Sequence, residues 1–338
     1  MTRYVVQRLA MMVGILFGVL TVTFALSRVL PSSPIETMLG HRPNPEQIEA
    51  ARHALGLDRP IHEQFFLFLG DTIQGDFGVS LRTGQPVIED IFDRMTATFE
   101  LTTLAVLLVI LIGIPLGVLS AVRRNTVLDH GARGLSIAGV ALPAFLIGML
   151  LQMVFYGGLG WLPLQGRIGA EMLLDYPFER VTGLYIVDTA LAGQWAAFGS
   201  ALGHLALPVL TLTIACLAII TRITRNLMVE VLGEDYIRTA RAYGLPRRAI
   251  YFRYALKATL IPMLTVIGLT YGFLLGGSVV VEFVFDWPGL GGYVVGAITK
   301  NDFPAVMGVT LFLATMYLTI NLIIDLAYYL VDPRLRVS

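Results

Sequence analysis

Six stretches of this chain run for nineteen residues or more without an Asp, Glu, Lys or Arg: 9–27, 101–122, 134–166, 189–221, 258–281 and 303–324. A helix that crosses a bilayer needs about 20 mainly apolar residues, and a water-soluble core seldom holds even one such run. The pattern predicts an all-α integral membrane protein of six transmembrane helices. The hydrophobic share of 56% agrees with it.

The first run follows Arg3 and Arg8, as a secretory signal would. It exceeds a signal's apolar core of about 7–15 residues, and no small-x-small cleavage site precedes Pro31, so it reads as an uncleaved anchor. The two 33-residue runs are too long for one span and too short for two. Glycine-rich stretches at Gly157–Pro163 and Gly193–Gly203 read as interfacial loop, which places the helices near 135–157 and 204–224.

Basic residues set the orientation. With the N-terminus inside, cytoplasmic segments hold fifteen of the 24 Lys and Arg residues, eight of them in 222–257. The two short outer loops hold only Arg167, Arg180 and Lys300. The positive-inside rule then predicts an N-in/C-in protein. Residues 1–30 are the tail and first helix, 31–95 an extracytoplasmic region, 96–328 the core, and 329–338 a cytoplasmic tail. The zero net charge sums over separate compartments, and no nucleic-acid partner is expected. The single Cys216 rules out an intrachain disulfide.

Nothing in the chain drives transport by itself. A P-loop needs a lysine after a glycine-rich turn, and the only lysines are Lys257 and Lys300, after Leu256 and Thr299. An ion-coupled secondary transporter buries an ionisable group at mid-depth. Here Glu100, Glu282 and Asp325 fall at or near span ends, and His204 and Asn321 read as packing residues. An intramembrane enzyme is disfavoured too. None of the five histidines forms His-Glu-x-x-His, and Cys216 lies roughly 18 Å along a helix from His204. His53 and His62 are unclustered and read as surface residues rather than metal ligands.

The 222–257 segment carries a candidate docking element. Gly233 precedes the acids Glu234 and Asp235, which suit the positive end of a helix dipole. Glu234 and Arg238 stand at i,i+4. Gly244 suits a left-handed helix end and Pro246 the first turn of a following helix. A short helix over about 234–243 is predicted, with Tyr236, Ala240 and Tyr243 on one face and Arg238 and Arg241 displaced from it. Such a helix suits a groove in a partner protein or a bed of lipid headgroups.

The segment Glu230–Leu245 resembles the EAA loop of ABC importer permeases, in the version of the dipeptide/oligopeptide/nickel class. Arg238, Thr239 and Ala240 take the Glu-Ala-Ala places and Gly244 the Gly, so the second Ala and the Gly are kept. Leu55–Ile61, Gly75–Ser80, Phe285–Gly291, Asn301–Pro304 and Asp325–Arg336 are similar to other segments of the same class, specifically its B-type membrane subunits. The resemblance covers nearly the whole chain. It implies a type I ABC importer permease in a bacterial cytoplasmic (inner) membrane, with 96–328 as the transmembrane type-1 core. The implied partners are a homologous second permease, two ATP-binding subunits that hold ATP and magnesium, and an extracytoplasmic substrate-binding protein. No catalytic, cofactor or metal residue is implied in this chain. Coupling to the ATPase would run through 230–245, with Glu234, Asp235, Tyr236, Arg238, Thr239, Ala240, Arg241 and Gly244. The implied substrate is a dipeptide or short peptide; glutathione, heme and nickel systems are close alternatives.

Gly268, Gly272 and Gly276 recur every four residues in the fifth run, and Gly113 and Gly117 do so in the second, around Pro115. Small-xxx-small spacing permits close helix approach in lipid, so these positions read as helix packing or translocation path. Residues 31–95 form a separate region, rich in charge and turn residues. Within it, Pro45–Leu57 reads as a helix.

Overall fold

The computed structural model describes residues 2–29, 44–54 and 58–331, and this part of the chain is helical apart from one isolated bridge between Val79 and Pro86. In chain order the first helices are α1 (Thr2–Val29), α2 (Pro45–Ala54), α3 (Ile61–Ile73), α4 (Val87–Val122), α5 (Val127–Ala141) and α6 (Ala144–Leu151). Then come α7 (Ala170–Asp175), α8 (Tyr185–Leu191), α9 (Trp195–Val231), α10 (Asp235–Ala242) and α11 (Leu256–Gly277). Three more close the described chain: α12 (Val279–Val284), α13 (Leu290–Thr299) and α14 (Phe303–Val331). Residues 55–57, at the end of the helix expected from Pro45, and 332–338 lie outside the described part.

Five helices have the length and apolar composition of a membrane span: 5–28, 87–122, 195–231, 249–277 and 303–328. The third expected span, 135–157, is not one helix. It is split between α5 and α6 at Leu142–Pro143, and α6 runs on as a π-helical stretch, Gln152–Gly158. Proline lacks an N–H and forces the preceding residue toward extended backbone, so the helix cannot run through. The Gly193–Gly203 stretch is corrected as well. Only Gly193 (φ +66°) and Gln194 lie outside the helix, and α9 begins at Trp195, nine residues ahead of the expected start.

The described residues fall into two compact units, 1–97 with 288–318 and 98–287 with 319–338. In the first, Val87 and Ile91 of α4 pack with Leu290, Tyr293 and Ala297 of α13 and Ala305 and Val309 of α14. In the second, glycines let helices meet closely. A Cβ on Gly117 of α4 would lie 2.6 Å from Thr224 Cβ and 2.8 Å from the Thr221 carbonyl of α9. The spacing of Gly113 and Gly117 thus serves a helix pair inside this chain.

Candidate functional site

The short helix expected near 234–243 is present as α10. Helix α9 ends at Val231, Gly233 donates its N–H to the Glu230 carbonyl, and Glu234 caps the new helix in extended conformation. The far end closes by two bonds characteristic of a left-handed stop. Leu245 N–H donates to the Ala240 carbonyl at 3.2 Å and Gly244 N–H to that of Arg241 at 3.0 Å, with Gly244 at φ +73°. The next helix starts after Pro246, whose carbonyl accepts from Ile250 N–H at 3.2 Å.

What anchors α10 differs from the expected face. Ile237 and Ala240 are buried against Val118 and Ala121 of α4, Met228 of α9, and Ile250 and Ala255 of the following segment. Ala240 therefore belongs to the inward face, while Tyr236 is 45% exposed and Tyr243 83% exposed. Ile237 was the missed signal: it is the one branched aliphatic residue in an otherwise polar and small helix. The expected Glu234–Arg238 pair is also replaced. Arg238 Nη1 lies 3.2 Å from Asp235 Oδ1, an exposed i,i+3 pair. Thr239 Oγ1 donates to the Asp235 carbonyl at 3.0 Å, and Arg241 Nη2 reaches the Leu232 carbonyl at 3.4 Å, tying the helix to the end of α9. Asp235, Tyr236, Arg238, Thr239, Arg241, Ala242 and Tyr243 are exposed.

Beneath this element lies a buried carboxylate that spacing alone could not reveal. Asp129, fully buried at the start of α5, accepts from Arg225 Nε at 2.6 Å and Nη2 at 2.9 Å. It also accepts from Ser120 Oγ (2.6 Å), Asn125 N–H (2.9 Å) and Arg133 Nη2 (3.2 Å). The Arg225 guanidinium holds the Asp129 carboxyl well below the usual carboxylate range. Arg225 sits on α9 three residues before Met228, so one polar cluster ties α4 and α5 to the part of α9 that leads to α10.

In the first unit, two of the distant sequence motifs meet. Ser80 Oγ donates to Asp302 Oδ2 at 2.5 Å, Arg82 N–H donates to the same oxygen at 3.2 Å, and Asp302 Oδ1 accepts from Ala305 N–H at the start of α14. Asp90 accepts from Thr83 Oγ1 and from Tyr293 Oη. In the second unit Glu100 is not at a helix end: it lies inside α4, buried, and takes Arg167 Nη2 at 2.6 Å and Ile186 N–H at 2.9 Å. The Arg167 guanidinium stacks over Tyr185, 3.8 Å from its ring centroid. Glu282 is likewise buried and accepts from Thr98 Oγ1 and Ser278 Oγ.

The glycine register of α11 divides. A Cβ on Gly268 would sit 1.8 Å from Ile324 Cδ1 of α14, so that position is filled within the chain. Gly272 is buried, and around Gly276 no atom lies within 4 Å. Among the described residues no cluster of three or more His, Cys, Asp or Glu side chains could hold a metal, and His53 lies 3.8 Å from Asp58.

Apolar helices of membrane-spanning length, with one short polar helix pinned at the end of α9, define an α-helical integral membrane protein. Sequence comparison makes this specific. The profile described as "Binding-protein-dependent transport system inner membrane component" matches residues 113–337, and that of the N-terminal region of such membrane components matches 1–102; the chain belongs to this family. Its relatives include the probable D,D-dipeptide transport system permease protein of Escherichia coli K12, 46% identical over 97% of this chain and 96% of the relative. The di/tripeptide transport system permease protein of Pseudomonas aeruginosa UCBPP-PA14 is 40% identical over 99% of each chain. The glutathione transport system permease protein of E. coli O1:K1 is 35% identical over 99% of each.

Proposed function

We propose that this chain is the membrane permease subunit of an ATP-driven ABC importer for dipeptides or short peptides. It forms the translocation path with a homologous permease, receives substrate from an extracytoplasmic binding protein, and docks an ATP-binding subunit through α10. The observation that carries the docking role is the split character of α10. Ile237 and Ala240 fix it to the ends of α4 and α9, while the side chains of Tyr236, Arg238 and Tyr243 are exposed. A helix held rigidly from below and presenting aromatic and arginine side chains suits a groove in a partner, where such residues dominate binding. ATP and magnesium belong to the partner subunits, because neither Lys257 nor Lys300 follows a glycine-rich loop. The inner orientation of both termini and of α10 is part of the same reading.

The peptide assignment rests on relatives whose names specify dipeptide or di/tripeptide transport. Glutathione is the second reading, supported by the glutathione permease at 35% identity; heme and nickel are further arms of the test. The transporter is reconstituted with its binding protein, and ATP hydrolysis is measured with dipeptides, tripeptides, glutathione, heme and nickel in turn. Stimulation by dipeptides or short peptides, with none by the other three, is the expected result. Stimulation by glutathione alone replaces the peptide reading, and hydrolysis indifferent to loaded binding protein removes the importer reading itself.

A further inference from the structure

The sequence assigns all of 31–95 to the aqueous outer region, yet α3 within it is packed on a membrane span. The Phe65 ring lies 6.0 Å from that of Phe17 and 5.3 Å from that of Phe24, and Phe68 stacks on Phe24 at 5.8 Å. Phe17 and Phe24 belong to α1, whose apolar window of 24 residues runs from Val5 to Arg28. At about 1.5 Å of rise per residue, Phe24 lies about 6 Å and Phe17 about 17 Å below the Arg28 level. The Phe65 ring, touching both, is therefore well inside the hydrocarbon layer, whose half-thickness is about 15 Å.

The rest of α3 fits that depth. Phe65 through Gly70 carries no charge, while His62, Glu63 and Asp71 are confined to its two ends. With 13 residues, it is about 20 Å long and too short to cross. Several of its terminal backbone groups are satisfied locally, which suits a nonpolar medium. The Pro60 carbonyl accepts from Glu63 and Gln64 N–H, Gln64 Nε2 donates to the Arg59 carbonyl, and Gly75 and Asp76 N–H close the far end on Thr72 and Asp71. Meanwhile Phe66 is 66%, Leu67 47% and Ile73 76% exposed. The neighbouring α1 likewise exposes apolar side chains, with Val13, Val22 and Leu26 more than half exposed. Four large apolar residues facing water beside a lipid-facing span, counting Ile61, would leave a costly patch.

We propose that α3 is a membrane-embedded element: it lies in the leaflet at the Val29 end of α1, with Phe66, Leu67 and Ile73 against lipid acyl chains. The occupant of this face is lipid rather than protein because α3 is packed on a span that is itself almost wholly exposed and carries charges only at its ends.

The test places single nitroxide labels at Phe66→Cys, Leu67→Cys and Ile73→Cys, in a Cys216→Ala background of the intact transport complex in phosphatidylcholine/phosphatidylglycerol vesicles. Collision rates with oxygen, which concentrates in lipid, and with a water-soluble nickel chelate are compared. Val13→Cys on α1 serves as the lipid reference and Asp58→Cys as the aqueous one. Oxygen access exceeding nickel access at 66 and 67, as at 13, is the expected result. Nickel access like that at 58 would show an aqueous loop helix and overturn the proposal. Low access to both reagents would mean that a protein partner covers the face, and overturns it equally. Labels at 66 and 67 report independently, so misfolding of one variant leaves the other to decide.

Discussion

Arg225 of α9 holds Asp129 of α5 by two hydrogen bonds, 2.6 and 2.9 Å long, across 96 residues of sequence. Because the carboxyl titrates below its ordinary range, its stabilising contribution is present above the unfolded value of about 3.9. It is lost only as pH falls through the lowered folded value, so the clamp stays ionised at every physiological pH. Removing one partner strands a buried charge, whereas removing both does not. Asp129→Leu alone is expected to lower the unfolding temperature of the purified protein more than Asp129→Leu combined with Arg225→Leu. Equal losses in the single and double variants would show that the pair does not act as a unit.

Gly244 stops α10 at φ +73° with no atom within 4 Å of a Cβ placed there. Space is not the obstacle, so the cost of substitution is conformational, about 1–2 kcal/mol for a β-branched residue. Gly244→Val is expected to misdirect the helix exit and abolish stimulation of ATP hydrolysis by loaded binding protein. Gly244→Asn, whose side chain tolerates this conformation, retains most of it. A Val variant as stimulated as the parent would remove the docking role from this turn.

Gly268 and Gly276 share a register but not a neighbour. Gly268→Ala must push Ile324 aside, and pairing it with Ile324→Ala is expected to recover the yield of folded protein that the single change loses. Gly276→Leu should insert normally and fail only in copurification with the second permease. Normal copurification and transport by Gly276→Leu would assign that face to lipid.

Orientation is checked by cysteines added to a Cys216→Ala background. Gln85→Cys and Asp175→Cys are expected to react in intact cells with an impermeant maleimide, and Tyr243→Cys only after permeabilisation. Position 243 suits this purpose because its side chain is exposed, whereas position 240 is buried. Reaction of Tyr243→Cys in intact cells would invert the topology.

Much of this fold can be read from the chain because membrane spans and helix stops are local signals. Uncharged runs mark the spans, and Gly233, Gly244 and Pro246 delimit α10 to within a residue or two. Pro143 also stands in the sequence, yet a proline in an apolar run can kink a helix or end it, and only the surrounding packing decides. Helix α4 begins ahead of its uncharged run because helices continue into polar regions, where charge says nothing of spans, whereas the first turns of α9 are uncharged but hold glycines that read as loop. Which face of α10 turns inward depended on Met228, Val118 and Ala121, and these belong to other helices. The Asp129–Arg225 clamp, the Ser80–Asp302 contact and the Gly268–Ile324 fit join residues with no fixed separation along the chain. A single sequence has no way to pair them.

Helix α9 is 37 residues long, about 55 Å by helical rise, nearly twice the roughly 30 Å of hydrocarbon it has to traverse. The excess makes it a lever arm with α10 mounted at its tip. A rod of this kind transmits motion as tilt rather than compression. Pro208, within the same helix, removes one rung of its backbone ladder and divides the rod about 35 Å from Val231 and 20 Å from Trp195. A tilt about that point moves the Val231 end nearly twice as far as the other.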